Sequence, residues 1–253
     1  MIQVHISPNY VGKNDTGDGG IRRVSEAMIK YLPEFGIEHT GSYERADIVI
    51  NHGGDNTWKK GAPSINVNHG LYWSRQPWED VFQQVNSQVV ESMVRAVAHT
   101  APSEWVARAI RRGGLFYPEV VYHGVDADQF SPASEVGNFV LWNKARADYV
   151  SNPEDMAQVA YRMPGREFRS TVTKSGLSEN VKLLGVKNYS EMKRIVAEAG
   201  VYLCTARETF GIGTRWRRWL AGCRLRVGIG AGRVKLSSRV RRGIWLRLGI
   251  MRR

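Results

Sequence analysis

The chain has 253 residues, enough for about two domains of ordinary size with a sizeable core. It carries 36 Lys and Arg against 24 Asp and Glu, a formal charge of +12, yet thirteen of those cations fall after Thr214, where no Asp or Glu occurs. Residues 1–214 are therefore close to neutral, which removes the charge argument for a nucleic-acid enzyme. The two lone cysteines, Cys204 and Cys223, make neither a disulfide framework nor a metal spacing.

In chain order, Ile2-Gln3-Val4-His5-Ile6 reads as a strand with no signal peptide before it. No apolar run reaches the roughly 18–20 residues of a membrane span, so a soluble protein of the reducing cytoplasm is expected. A polar loop, 8–20, has glycines at 12, 17, 19 and 20. It leads into a helix whose apolar residues Ile21, Val24, Ala27, Met28, Tyr31 and Leu32 recur at helical spacing until Pro33 and Gly36 stop it. Strand, glycine-rich loop and helix in that order can hold a phosphate, because a helix N-terminus offers unpaired amides and partial positive charge. Glycines before a helix are more often plain turn chemistry, and Asp18-Gly19-Gly20 is not the dinucleotide fingerprint.

Strand patterns at 37–40, 46–50 and 64–68 follow, the last two running into Asn51-His52-Gly53-Gly54 and His69-Gly70. Open α/β sheets bind ligands at the carboxyl ends of their strands, which is where His52 and His69 stand, although structural hydrogen bonding explains a strand-end histidine equally well. Tyr72, Trp73 and Trp78 read as loop packing rather than a sugar-stacking platform. Residues 78–98 have the longest helical pattern, with Val81, Phe82, Val85, Val89, Met93, Val94 and Val97 on one side. A strand at 99–101 and a helix at 104–112 come next, the helix ending on Arg111 and Arg112, where a solvated C-terminus favours cations. The run Val120-Val121-Tyr122 enters the turn His123-Gly124-Val125-Asp126, and residues 132–137 form a polar linker. Beyond it, strands at 139–142, 167–173, 181–184 and 201–204 alternate with helices at 153–163 and 189–199. Such alternation in both halves predicts an α/β protein with mostly parallel sheets.

The last strand runs into Cys204-Thr205-Ala206-Arg207-Glu208-Thr209-Phe210-Gly211-Ile212-Gly213-Thr214, which sets one carboxylate, Glu208, just past the strand end. Glycines at 211 and 213 let backbone amides come close to a ligand such as a phosphate. This run resembles the signature loop of retaining, nucleotide-sugar-dependent glycosyltransferases of the GT-B fold, in which Glu-x-Phe-Gly is followed by a helix. The Gly124-Val125-Asp126 turn with Phe130-Ser131-Pro132 resembles the close of that family's first domain, and Arg146 stands where the family keeps a diphosphate-binding arginine. The family's second cation would fall at 151, here Ser, leaving Lys144 as its only nearby replacement.

The resemblance implies a GT-B-like architecture of two Rossmann-like domains. Residues 1–132 would be the acceptor domain and 138–214 an incomplete nucleotide-sugar domain. It further implies sugar transfer from a nucleotide diphosphate sugar, with retained configuration, to a glycan, lipid or other acceptor. Glu208, His69 and Arg146 would be the catalytic residues, and Lys144, Phe210, Gly211, Ile212, Gly213 and Thr214 would hold the donor. The loop at Gly19 and Gly20 would face donor phosphate and acceptor. No metal, and no cofactor besides the donor substrate, is implied; which sugar, nucleotide, acceptor and oligomeric state is left open.

The family's second glutamate would fall at 216, which is Trp, within Arg215-Trp216-Arg217-Arg218-Trp219-Leu220-Ala221-Gly222-Cys223. Tryptophan has a single codon, so this segment can be back-translated with limited freedom. Shifted by two nucleotides, one permitted choice reads Leu-Glu-Ala-Leu-Ala-Gly-Gly-Val-Pro, the missing half of the motif, with Glu in the register of 216. Residues 215–253 are thus expected to be an out-of-frame basic tail rather than a domain, leaving the second sheet with an unpaired edge and activity impaired. Two other readings stand beside this one: a non-catalytic acceptor-binding module, and an arginine-rich arm on RNA, DNA or acidic lipid at a membrane periphery.

Overall fold

The computed structural model describes residues 1–16, 19–71, 80–114, 116–124, 129, 133–144, 151–172, 177–205 and 224–227. Two wholly parallel sheets organise them. The first has the order β2-β1-β3-β4-β5-β6, from β1 (Ile2–Ser7), β2 (Ile37–His39), β3 (Ile48–His52), β4 (Ser64–Val67), β5 (Ala98–Ala101) and β6 (Glu119–Val120). The second has the order β11-β10-β7-β8-β9, from β7 (Phe139–Trp142), β8 (Glu167–Ser170), β9 (Val181–Leu183), β10 (Val201–Cys204) and β11 (Arg224–Val227). Parallel neighbours need long crossovers. Helices α1 (Gly20–Tyr31), α2 (Asp80–Arg95) and α3 (Glu104–Gly113) supply them in the first half, with α4 (Pro153–Tyr161) and α5 (Tyr189–Glu198) in the second.

Helices on both faces bury both faces of each sheet, so the strands are apolar at consecutive positions rather than alternate ones. In β7, Phe139 and Leu141 pack with Ile195, Val196 and Tyr202 on the α5 side, while Val140 and Trp142 pack with Met156, Ala160 and Phe168 on the α4 side. Each such side chain contributes roughly 1.5–3 kcal/mol by leaving water. The first sheet repeats the arrangement: Val4, Ile6, Ile50 and Val67 meet Met28 and Ile29 of α1 on one face, and Val89 and Met93 of α2 pack with Ala101, Val106 and Ile110.

Two helix faces differ from the periodicity. On α1 the buried positions are Arg22 and Ser25, and Ala27 and Tyr31 face solvent. The Arg22 guanidinium donates to the carbonyls of Lys13 and Asn14, so a charged side chain ties the preceding loop down and takes the inner position. On α2 the inner stripe is Val89, Ser92 and Met93, with Val94 exposed, and the helix ends at Arg95 before Val97, which is exposed too. Ser92 Oγ accepts from Asn66 Nδ2 at 2.8 Å, a buried polar contact that hydrophobic spacing does not register.

Helix starts follow local chemistry. Ser103 Oγ accepts from the Val106 amide at 3.3 Å, and Asn188 and Glu191 form a reciprocal capping box on α5. α1 instead begins at Gly19, whose φ of 92° only glycine adopts readily, and no side chain caps it. The expectation that β10 ends the second sheet as an unpaired edge is corrected: Arg224–Val227 pairs with it in parallel, Val201 with Arg224 through Cys204 with Val227. The alternation Arg-Leu-Arg-Val is the local signal for that strand, and the basic composition around it concealed it.

Candidate active site

Both sheets are doubly wound, and each has one place where successive crossovers leave in opposite directions, opening a crevice at the strand ends. In the first sheet it lies between β1 and β3, in the second between β7 and β10.

At the first crevice the loop after β3, residues 53–63, is folded back on the strand it leaves. Asn51 does this with both ends of its amide: Oδ1 accepts from the Thr57 amide at 3.2 Å, and Nδ2 donates to the Thr57 carbonyl at 3.0 Å. The loop thereby presents Asp55 to the end of β1. Ser7 Oγ donates to Asp55 Oδ2 at 2.6 Å and, with its only proton spent, accepts from Thr57 Oγ1 at 2.8 Å. The Asn56 amide donates to Asp55 Oδ1 at 3.2 Å. Gly54 lets α2 close over this loop, since a β-carbon there would lie 2.9 Å from Gln88 Cβ. The result is a hollow of about 750 Å³, largely open to solvent, bordered by the β1 end, the 53–63 loop and α2.

Three histidines stack beside it. His52 at the end of β3, His69 just past β4 and His123 beyond β6 have successive ring centroids 5.1 and 5.4 Å apart, and His52 Nδ1 lies 2.8 Å from His69 Nε2. Burial pushes His52 down to about 4, helped by His123 and opposed by the Asp55 carboxylate. Burial, then His52 and His123, pushes His69 down to about 3. Both rings are neutral near pH 7, so a single proton lies between them. Placing it on His52 Nδ1 leaves the buried, unpartnered His52 Nε2 as a lone pair rather than an orphaned donor, and leaves His69 with its N–H on Nδ1. His69 is then a neutral donor, not an acid. Stacked rings bonded to one another do not converge on a point, and among the described residues no His, Cys, Asp and Glu group is arranged to hold a metal ion.

At the second crevice the residues that end β7, follow β10 and precede α4 are bonded together. Trp142 Nε1, at the end of β7, donates to Thr205 Oγ1, just past β10, at 2.8 Å. That hydroxyl lies 2.9 and 2.8 Å from the carbonyls of Ser151 and Asn152, where the loop from β7 re-enters α4. Thr171 Oγ1 donates to the Lys144 carbonyl at 3.1 Å, fixing the other foot of that loop. The two halves also touch: Asp15 Oδ2 accepts from the Tyr189 amide at 2.8 Å, at the first turn of α5, while the same carboxylate pairs with Arg23, whose guanidinium lies 4.3 Å from the Tyr189 ring centre. A carboxylate on helix N-terminal amides is favoured by the helix dipole.

This pair of doubly wound parallel sheets is shared with solved glycosyltransferase structures. AviGT4, a glycosyltransferase involved in avilamycin A biosynthesis, superposes with a TM-score of 0.60 at 16% identity over 90% of this chain and 79% of that one. Sucrose-phosphate synthase from Thermosynechococcus elongatus gives 0.68 at 11% identity over 90% and 81%. A glycosyltransferase from Rickettsia africae gives 0.57 at 12% identity over 91% and 80%. The chain has the GT-B fold. No protein-family model and no curated protein sequence matches it, so the likeness is carried by structure.

Within this GT-B chain the sequence-derived residues divide into two groups. His69 and Lys144 lie at strand ends on the two crevices, and Gly19 and Gly20 stand at the N-terminus of α1 with open space where a β-carbon would be. Arg146, Asp126, Glu208, Phe210, Gly211, Ile212, Gly213 and Thr214, and the aromatic residues Tyr72, Trp73 and Trp78, lie outside the described residues. The position of the family's second cation, Ser151, is buried. Sequence reasoning missed Asp55, Ser7, Thr57, His123's place in the stack, and Thr205. A polar run immediately after a buried strand, as in Asp55-Asn56-Thr57, is the signal that could have found the first loop. Among the described residues no helix is long and apolar enough to cross a membrane.

Proposed function

We propose that the chain transfers a sugar from a nucleotide diphosphate sugar to an acceptor with retention of configuration. The observation that carries this reading is the Trp142–Thr205 bond at the second switch point. It holds together the starts of the two loops that contain Arg146 and Glu208, on a fold whose other solved examples include glycosyltransferases. In this reading Arg146, Lys144 and the amides of residues 211–214 take up negative charge as the sugar–phosphate bond breaks, fixed dipoles and cations being the largest available source of rate. Glu208 accepts from donor hydroxyls, and His69 donates from a neutral ring to the transferred sugar. The Gly19–Gly20 end of α1, uncapped, faces the phosphate side. No bound metal is needed for donor binding.

Trp216 in place of the second glutamate removes a donor contact, and turnover by this chain is expected to be low. Calorimetry against a panel of nucleoside diphosphates, followed by transfer assays with the matching nucleotide sugars, tests the reading. Micromolar to millimolar binding that falls at least tenfold in Arg146→Ala supports it, and absence of binding across the panel refutes it. Sequencing the gene tests the origin of residues 215–253: codons that cannot encode the shifted peptide remove the frameshift. A non-catalytic acceptor-binding protein is the second reading, favoured by a cavity lined wholly by first-domain residues; it predicts acceptor binding without donor binding.

A further inference from the structure

The cavity at the β1/β3 crevice has a chemistry of its own. Among the described residues its polar lining consists of Asp55, Glu91, Asn56, Gln88, Thr57 and His52, with Pro8 and Val85 as apolar patches and no Lys or Arg. Arg95, the cation nearest along α2, is paired with Glu91 at 2.7 Å and is not part of the wall. Lys59, on the same loop as Asp55, is turned to the Ala46 carbonyl at 2.6 Å.

Asp55 is pre-aimed. Ser7 and the Asn56 amide each hold one of its oxygens, and a carboxylate with about four acceptor sites retains capacity on both. His52, 2% exposed, lines the same cavity and has a ring nitrogen, Nε2, with no partner. Carboxylates and amide oxygens that accept, amide nitrogens that donate and small apolar patches together match hydroxyl groups and the C–H faces between them. A phosphate or carboxylate placed here would face the Asp55 carboxylate with no cation among the described lining residues to offset the repulsion.

We infer that this cavity is the acceptor subsite, and that the acceptor is a saccharide carrying no negative charge, either neutral or amino-substituted, with Asp55 accepting from one of its hydroxyls. The inference rests on the transferase reading for the word acceptor, and on the cavity alone for the charge preference.

The test is ligand-observed saturation-transfer NMR on the full chain with four probes: methyl α-glucoside, glucosamine, glucuronate and glucose 6-phosphate. UDP, GDP and ADP are measured separately as donor probes. The first two sugars are expected to bind at least tenfold more tightly than the anionic pair. Asp55→Asn should narrow that ratio by at least threefold. Gln88→Ala, at an exposed position with no hydrogen bond to Ser7 or Asp55 among the described residues, should weaken all sugars alike by a few-fold, which keeps the test alive if the Asp55 variant unfolds. Anionic probes binding as well as or better than the neutral ones, or no sugar binding at all, overturns the inference. Sugar binding with the expected preference but no nucleoside diphosphate binding overturns the transferase reading and leaves the cavity's preference standing.

Discussion

At the β1/β3 edge the polar groups are carboxylates, amides and neutral imidazoles bonded chiefly to one another, and the surface they make lines a cavity. At the β7/β10 edge the bonded groups are buried, an indole and a hydroxyl beneath the segments that follow the two strands, and under the proposed function those segments carry the chemistry. The first edge thus works by its own side chains and the second by positioning others. Their charge differs as well among the described residues, since the first crevice has no cation in its wall while Lys144 follows β7 at the second. A neutral ligand on one side and a diphosphate on the other is the division of labour this difference favours.

The contrast can be broken most sharply at Trp142. It is fully buried, and Trp142→Ala should cost about 3–5 kcal/mol through cavity formation and the lost indole bond. Nucleoside diphosphate binding should disappear while sugar binding at the first edge persists, as seen by saturation-transfer NMR alongside thermal unfolding.

Acid should act on the opposite edge. His52 and His69 have folded pKa values below the unfolded 6.5, so the unfolded chain binds more protons as pH falls from 6.5 towards 4 and 3. Their contribution is complete above pH 6.5 and is lost through that window, on the order of 3 kcal/mol for each ring by pH 4. Urea unfolding at pH 7.5 and 4.5 measures it, and His52→Gln should flatten the dependence.

Thr205→Val is the next step down. It keeps the shape but leaves the Trp142 N–H buried and unpaired, at a cost of about 1–3 kcal/mol. The loops lose their common anchor, so calorimetry should show weaker nucleoside diphosphate binding with the fold intact. The smallest effect is expected at Asp15→Ala, which removes the hydrogen bond between the halves and leaves the Arg23–Tyr189 ring contact. A partly exposed ion pair and helix-terminus bond contribute about 1 kcal/mol or less. Small-angle scattering should nevertheless detect a larger average radius of gyration if that hydrogen bond holds the halves together.

Which parts were legible in the sequence follows from the range of the interactions involved. Strands and helices were readable because 3.6- and 2-residue periodicities and caps such as Ser103 are local. His69 and Lys144 could be nominated because they directly follow strand patterns. Asp55 could not, because its significance depends on Ser7, 48 residues away, and that pairing exists only once β1 and β3 are neighbours. The Arg22 and Ser92 positions were misread for a related reason: hydrophobic spacing has no term for a buried polar group that is satisfied from another element.

Taken alone, the order of residues determined the alternation of strand and helix, the near-neutral body with its basic end, and the Glu208-Thr209-Phe210-Gly211 loop, all properties of neighbours along the chain. Tertiary structure decided which strand ends adjoin, that three histidines from separate segments stack with His52 and His69 kept neutral by burial, and that Asp55 is held towards a hollow with no cation among its described lining residues. Those outcomes depend on strand order and burial, which bring together groups tens of residues apart and set the local dielectric that fixes their charge.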